Sequence, residues 1–186
     1  MPRIPGFGRS SHDAAARRLY ATIVAQARRP VFFAALGIPD TLDGRFEALA
    51  LHAFLVLRRL KGQGAEAERL AQAIFDTMFD DMDRSLREMG VGDLGVGRRV
   101  KAMAQGFYGR IAAYDRGLAQ GDEVLADALR RNVFGTAAET ATPSVRCLNA
   151  LCAYIRQSDQ ALAGTALEVL RAGNISFPLP AYPATA

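Results

Sequence analysis

From Ala67 to Met89 the residues Ala67, Ala71, Ile74, Phe75, Met78, Met82 and Met89 fall in one stripe of an α-helix. The same period returns at Val96, Val100, Met103, Phe107, Ile111 and Tyr114, and nowhere does a convincing alternating strand pattern appear. This is the strongest constraint on the fold. A chain patterned with period 3.6 and never with period 2 buries its apolar surface only by packing helix on helix. At 186 residues it is long enough for one core and too short for two ordinary domains. The expected fold is all-α, a single-domain bundle of seven or eight helices with an extended C-terminal tail.

Local signals place the elements. Ser11 caps a first helix that runs to Arg29, where Pro30 interrupts it. Val31 to Leu36 forms a short second helix, closed by Gly37 and Pro39. Asp40 or Thr41 opens an apolar helix that ends at Arg58, Arg59 and Lys61, cations suited to a helix C-terminus. After the break at Gly62 and Gly64 come helices over Ala65–Met89, Leu94–Leu118 and, capped by Asp122, as far as Phe134. Thr142 followed by Pro143 marks the start of the last helical stretch, which reaches Gly173. Residues 1–12, with Arg3 and Arg9, read as a basic N-terminal arm, 13–174 as the helical domain, and 175–186 as an extended tail.

Several function classes fall away. The longest apolar stretch, Ala48 to Leu57, is interrupted by His52 and is short of the roughly 18 residues of a membrane span. Cys147 and Cys152 lie about 140° apart on a helix and cannot bridge. With no cysteine framework and no signal peptide, the expected compartment is reducing. His52 reads as a satisfied core histidine, and with only His12 besides it no Ser–His–acid arrangement can be drawn. Arg28–Arg29 and Arg58–Arg59–Lys61 read as helix-end charges. Together they would make a basic patch for RNA or an acidic membrane surface, but no aromatics are interleaved for base stacking.

Two patterns imitate catalytic motifs. Asp80, Asp81 and Asp83 look like a metal cluster, yet Asp76, Asp80 and Asp83 project opposite the apolar stripe, in line with Arg87, while Asp81 sits at the stripe's edge. The D-D-x-x-D spacing of prenyl-transfer enzymes is not matched, and no metal site is expected. Gly90, Gly92 and Gly95 fit the letter of G-x-G-x-x-G, but a dinucleotide fingerprint follows a strand, and these follow a helix. Gly90 is better placed as the left-handed residue of a Schellman ending, with Val91 folding back on Leu86 and Asp93 capping the next helix. No catalytic residue and no cofactor is expected.

Beside the stripe from Val96 to Tyr114 runs a smooth strip of Ala102, Gly106, Gly109, Ala113 and Gly117. Glycine in a helix interior costs about 1 kcal/mol against alanine, so the strip predicts close approach of another helix. Arg110, between stripe and strip, is placed to be partly buried and to need an acid, for which Asp81 is the candidate.

"LHAFLVLRRL" and "FDTMFDDMDRSLREMGVGDLGVGRRVKAMAQGFYGRIAAYDRGL" resemble the ubiquinol–cytochrome c chaperone family, assembly factors for cytochrome b of the respiratory bc1 complex. The ordered signature is Phe79-Asp80-Asp81-Met82-Asp83 with Leu86, Arg87, Glu88, Gly90, Val91, Gly92 and Asp93, then Phe107-Tyr108-Gly109-Arg110 and Ala113-Tyr114-Asp115. The resemblance runs loosely from about Leu19 to Pro180, and the absence of tryptophan departs from mitochondrial members. It implies a bacterial, non-enzymatic chaperone that binds newly synthesised cytochrome b, with the ribosome or a membrane surface as further partners and no specific nucleic acid. The implied location is cytoplasmic or peripheral at the inner membrane. The alternatives are an RNA- or membrane-surface-binding helical adaptor and an all-α isoprenoid-type enzyme. The expected client-binding residues are Asp76, Asp80, Asp83, Arg87, Tyr108, Arg110 and Tyr114, on a frame set by Asp81, Gly90, Asp93, Gly106 and Gly109.

Overall fold

The apolar spacing is realised as helices throughout. A computed structural model describes residues 7–135 and 143–181. Among these lie α1 (Phe7–Ala27), α2 (Pro30–Ala34), α3 (Leu42–Leu60), α4 (Ala65–Glu88), α5 (Asp93–Gln120), α6 (Asp122–Asn132), α7 (Val145–Ala163) and α8 (Leu167–Arg171). No strand occurs among the described residues. None of these helices is long and apolar enough to cross a membrane.

The centre of the bundle is α3, which packs against α1, α4, α5 and α7. Leu51, His52, Ala53, Phe54, Leu55 and Val56 are consecutive and all buried, so every face of this helix meets protein. That explains the longest apolar run in the sequence. The α5 helix lies along α4 and α6, and α6 closes against α7. Thr41 starts α3, its Oγ1 accepting the Gly44 N–H at 3.1 Å.

His52 is fully enclosed, and its hydrogen bonds fix its tautomer. Nδ1 lies 2.7 Å from the Ala48 carbonyl oxygen, which can only accept, so Nδ1 carries the proton. Nε2 therefore accepts from the Tyr154 hydroxyl at 2.8 Å, whose oxygen in turn accepts from Gln26 Nε2 at 2.9 Å. The same Gln26 amide donates to the Pro178 carbonyl at 3.3 Å, and the Phe177 ring lies edge-on to His52. The extended segment after α8 is thus pinned across the central helix.

Several local expectations are corrected. The first helix opens at Phe7 rather than at Ser11, and His12, expected in the N-terminal arm, belongs to it, 2.7 Å from Glu66 on α4. Thr142 lies outside the described residues. The cap of α7 is Ser144, whose Oγ accepts the Cys147 N–H at 3.1 Å, and Pro143 precedes it instead of taking the first helical position. Asp93 and Asp122 are the first residues of α5 and α6, not their caps; glycines 92 and 121 occupy the cap positions. Each carboxylate serves an arginine instead, Arg87 for Asp93 and Arg156 for Asp122.

The glycine strip divides. Only Gly117 meets a neighbouring helix, where an added Cβ would lie 2.7 Å from Leu125 Cα and 3.0 Å from its Cβ on α6. Gly109 has nothing within 4 Å, so close approach does not explain it. Gly117→Ala is therefore expected to destabilise by about 1–3 kcal/mol through overpacking, which outweighs its gain in helix propensity. Gly109→Ala should instead stabilise by up to about 1 kcal/mol. Urea unfolding of the two variants checks the opposite signs.

Candidate functional site: the α4–α5 corner and its cleft

The corner is built by short-range bonds. Gly90 takes φ +82°, its N–H donates to the Arg87 carbonyl at 2.9 Å, and the Val91 N–H donates to the Leu86 carbonyl at 3.1 Å. These are the two hydrogen bonds of a Schellman ending. Arg87 then ties the corner from outside, holding Asp83 one turn back at 2.6 Å and Asp93 across the turn.

Around this frame the acids separate by face. Asp80 is exposed, and Asp76, also exposed, accepts from Gln72 at 2.7 Å. Asp81 points the other way, accepting the Tyr20 hydroxyl of α1 at 2.8 Å. Burial and the neighbouring carboxylate both push that hydroxyl's pKa up. Tyr108 is 60% exposed and stacks on Phe75 of α4 at 5.6 Å between centroids. It is the aromatic lip of this outer edge.

Two expected surface residues belong to the interior. Tyr114 has no exposed area and packs against Phe54, because its position on the stripe turns it into the core. Arg110 does not pair with Asp81. Its guanidinium grips Glu47 of α3 with two parallel bonds, Nε to Oε2 at 2.6 Å and Nη2 to Oε1, and lies over the Phe46 ring. The Glu47 side chain is 2% exposed and that of Arg110 19%. Burial pushes the Glu47 carboxyl above the usual carboxylate range, with the Arg110 bonds pulling against it. Gly106 finds its reason here, because an added Cβ would lie 2.6 Å from Arg110 Nη1. It leaves room for the arginine to fold back toward Glu47. Glu47 was missed at the level of sequence, although an acid set inside an apolar run such as "FEALALHAF" is a signal for a buried cation partner.

Asp115, the last residue of the signature, is structural. It pairs with Arg58 and with Lys61 at 3.1 Å, while Arg58 also holds Asp159 of α7 at 2.9 Å. Arg59 donates to the Leu162 and Thr165 carbonyls at 2.9 and 2.8 Å. The cations at the end of α3 therefore lock α3, α5 and α7 together.

On the inner side of the corner, α1, α3, α4 and α5 leave an open cleft of about 670 Å³. Phe46, Met82, Leu86 and Met103 line it, and Leu42 and Met89 stand at its lips. Three of the chain's five methionines, Met82, Met89 and Met103, meet here. Methionine adapts its shape to varied apolar partners, which suits a binding surface more than a rigid core. Among the described residues no group of acids, histidines and cysteines has the arrangement of a metal site.

The fold is an all-helical scaffold with a hydrogen-bonded corner between α4 and α5, an acidic outer edge and an open inner cleft with an apolar floor. Residues 34–177 match the family described as ubiquinol-cytochrome C chaperone. The chain belongs to that family. It is 30% identical over 148 residues to ubiquinol-cytochrome-c reductase complex assembly factor 1 of Xenopus laevis, covering 80% of this chain and 72% of the frog protein. It is 30% identical over 164 residues to the Homo sapiens protein of that name, covering 88% of this chain and 54% of the human one. The chain thus spans about half the length of its human relative. The crystal structure of the Cbp3 homolog from Brucella abortus superposes with a TM-score of 0.79 at 42% identity, over 91% of this chain and 92% of that one.

Proposed function

We propose that this chain is an assembly factor for the bc1 complex, binding newly synthesised cytochrome b and holding it without chemical turnover. The observation that carries this reading is family membership across residues 34–177, which take in the whole α4–α5 corner. The relatives' names as ubiquinol-cytochrome-c reductase complex assembly factors support the same client class. The client meets the outer edge of the corner, where Asp76, Asp80 and Asp83 share α4 with Phe75, on which Tyr108 stacks, and Arg87 braces the turn. Membrane segments are commonly flanked by lysine and arginine, and an acidic edge complements such flanks. The site of action is the cytoplasmic face of the inner membrane, where such a client is made.

The adaptor reading has less support. Its basic patch required Arg28–Arg29 and the cations ending α3 to act together. Instead Arg28 borders the cleft, while Arg58 and Lys61 are engaged by Asp115, and Arg59 by backbone carbonyls.

Deleting the gene should lower assembled bc1 complex and the spectrum of reduced cytochrome b, while other membrane cytochromes persist. The double variant Asp80→Ala/Asp83→Ala should weaken capture of cytochrome b at a stability cost of at most about 1 kcal/mol, because Asp80 is exposed and the half-buried Asp83 gives up only a solvent-screened pair with Arg87. A normal cytochrome b spectrum in the deletion strain would sink the reading. Undiminished capture by the acidic variant would move the client surface off this edge.

A further inference from the structure

The inner cleft has a charge pattern that the outer edge does not explain. Four arginines and three acids border it. Arg45 is held by Asp40, and Arg110 by Glu47. Asp81 takes the Tyr20 hydroxyl and only grazes Arg84 at 4.0 Å. Asp43 stands exposed at the start of α3. Arg28, past the end of α1, and Arg99, in the second turn of α5, are exposed, and their guanidinium groups carry no ion pair or hydrogen bond among the described residues. Two unmatched guanidinium groups thus border an apolar floor.

A second concavity of about 490 Å³, with Phe33, Ala34 and Ile38 in its wall, shares Arg28 and Arg45 with the first. The lips are apolar and uncovered, Leu42 being 58% and Met89 51% exposed.

We propose that this cleft seats one apolar helical segment of a membrane-protein client, and that Arg28 and Arg99 hold an acidic side chain of that segment. The proposal rests on the reading that the client is a membrane protein awaiting assembly. An open groove over two concavities suits a helix that inserts successive anchors from one face. Methionines accommodate anchors of different shapes. An acid within a membrane segment is costly to leave unpaired in an apolar setting, so before its final partner arrives it needs a cation. The unmatched arginines at the rim provide one.

The test uses the full chain and two synthetic apolar peptides of about 20 residues, one bearing a single glutamate and the other a lysine at the same position. Wild type should bind the glutamate peptide about tenfold more tightly, and Arg28→Glu/Arg99→Glu should reverse that order, since like charges repel across an interface. Met89→Glu should weaken both peptides. All variants should keep the wild-type melting temperature, because each changed side chain is exposed. Equal binding of the two peptides, or no reversal in the double variant, would overturn the proposal. So would displacement of the peptide by phosphatidylglycerol vesicles with no dependence on its own charge, which would assign the cleft to lipid. Failure of the broader reading looks different. If the deletion strain keeps normal bc1 complex while the charge reversal holds, the cleft stands and the client class falls. If bc1 complex is lost on deletion but fully restored by the Arg28→Glu/Arg99→Glu gene, the cleft proposal falls and the assembly role stands.

Discussion

Replacing Arg110 by alanine should lower the melting temperature by roughly 6–20 °C, the largest single-residue effect expected on the α3–α5 contact. The substitution leaves the Glu47 carboxylate, 2% exposed, without its bidentate partner. Breaking a buried pair from one side typically costs about 3–5 kcal/mol, since the remaining charge has lost its water and gained nothing in exchange. The pH dependence separates this cause from lost packing. Burial already holds the Glu47 carboxyl above the usual range, and removing the cation raises it further. The deficit of Arg110→Ala should therefore be greatest at high pH and shrink as the pH falls and Glu47 takes up a proton. Glu47→Leu combined with Arg110→Met should recover most of the loss, because both charges are then absent. A deficit independent of pH, undiminished in the double variant, would mean that the arginine acts through its stem and not its charge.

Acid should weaken the fold through His52 before it reaches the ordinary carboxylates. Enclosure in α3 pushes this imidazole down from its usual 6.5 to about 4, against the mild upward pull of the Ala48 carbonyl. The folded state thus resists a proton that the unfolded chain binds readily. Stability from this group is complete above pH 6.5 and is lost as the pH falls toward 4, amounting to about 3 kcal/mol at the lower limit. Protonation would also place an N–H on Nε2, which now accepts the Tyr154 hydroxyl, and so disturb the chain running through Gln26 to Pro178. Glu47 works in the opposite direction, because its raised pKa favours the folded state as the pH falls. The comparison is therefore between wild type and His52→Asn, by denaturant unfolding between pH 7 and pH 4. The variant should be less stable at pH 7 but should lack most of the acid-side slope. Parallel curves would assign the slope to other groups.

What could be read from the chain follows the range of the interactions involved. The α4–α5 corner was legible because a Schellman ending joins Leu86 to Val91, five residues apart, and needs only a glycine to take φ +82°. The core stripe of α5 was legible because helical period alone turns Val96, Phe107 and Tyr114 to one side. That same stripe contradicts Tyr114 as a surface contact, a conflict contained in the residue spacing itself. Aspartates 93 and 122 marked helix starts correctly but not the donors their carboxylates would take, since an arginine across the turn or on another helix competes with the backbone N–H groups.

The amino-acid sequence by itself determined the all-helical class, the family and the turn at Gly90, all of which depend on spacing along one chain. Only the tertiary structure decided that Arg110 pairs with Glu47 and not Asp81. The helical period shows that Arg110 leaves α5 between the stripe and the strip, and α5 packs against both α3 and α4. Which acid it meets depends on how far one helix slides along another. That register is set by packing at many places at once, among them Gly117 against Leu125 and the lock of Arg58 on Asp115 and Asp159. The cleft has the same origin. Its walls come from four separate helices, which bring Met82, Met89 and Met103 to one opening that no single stretch of sequence contains.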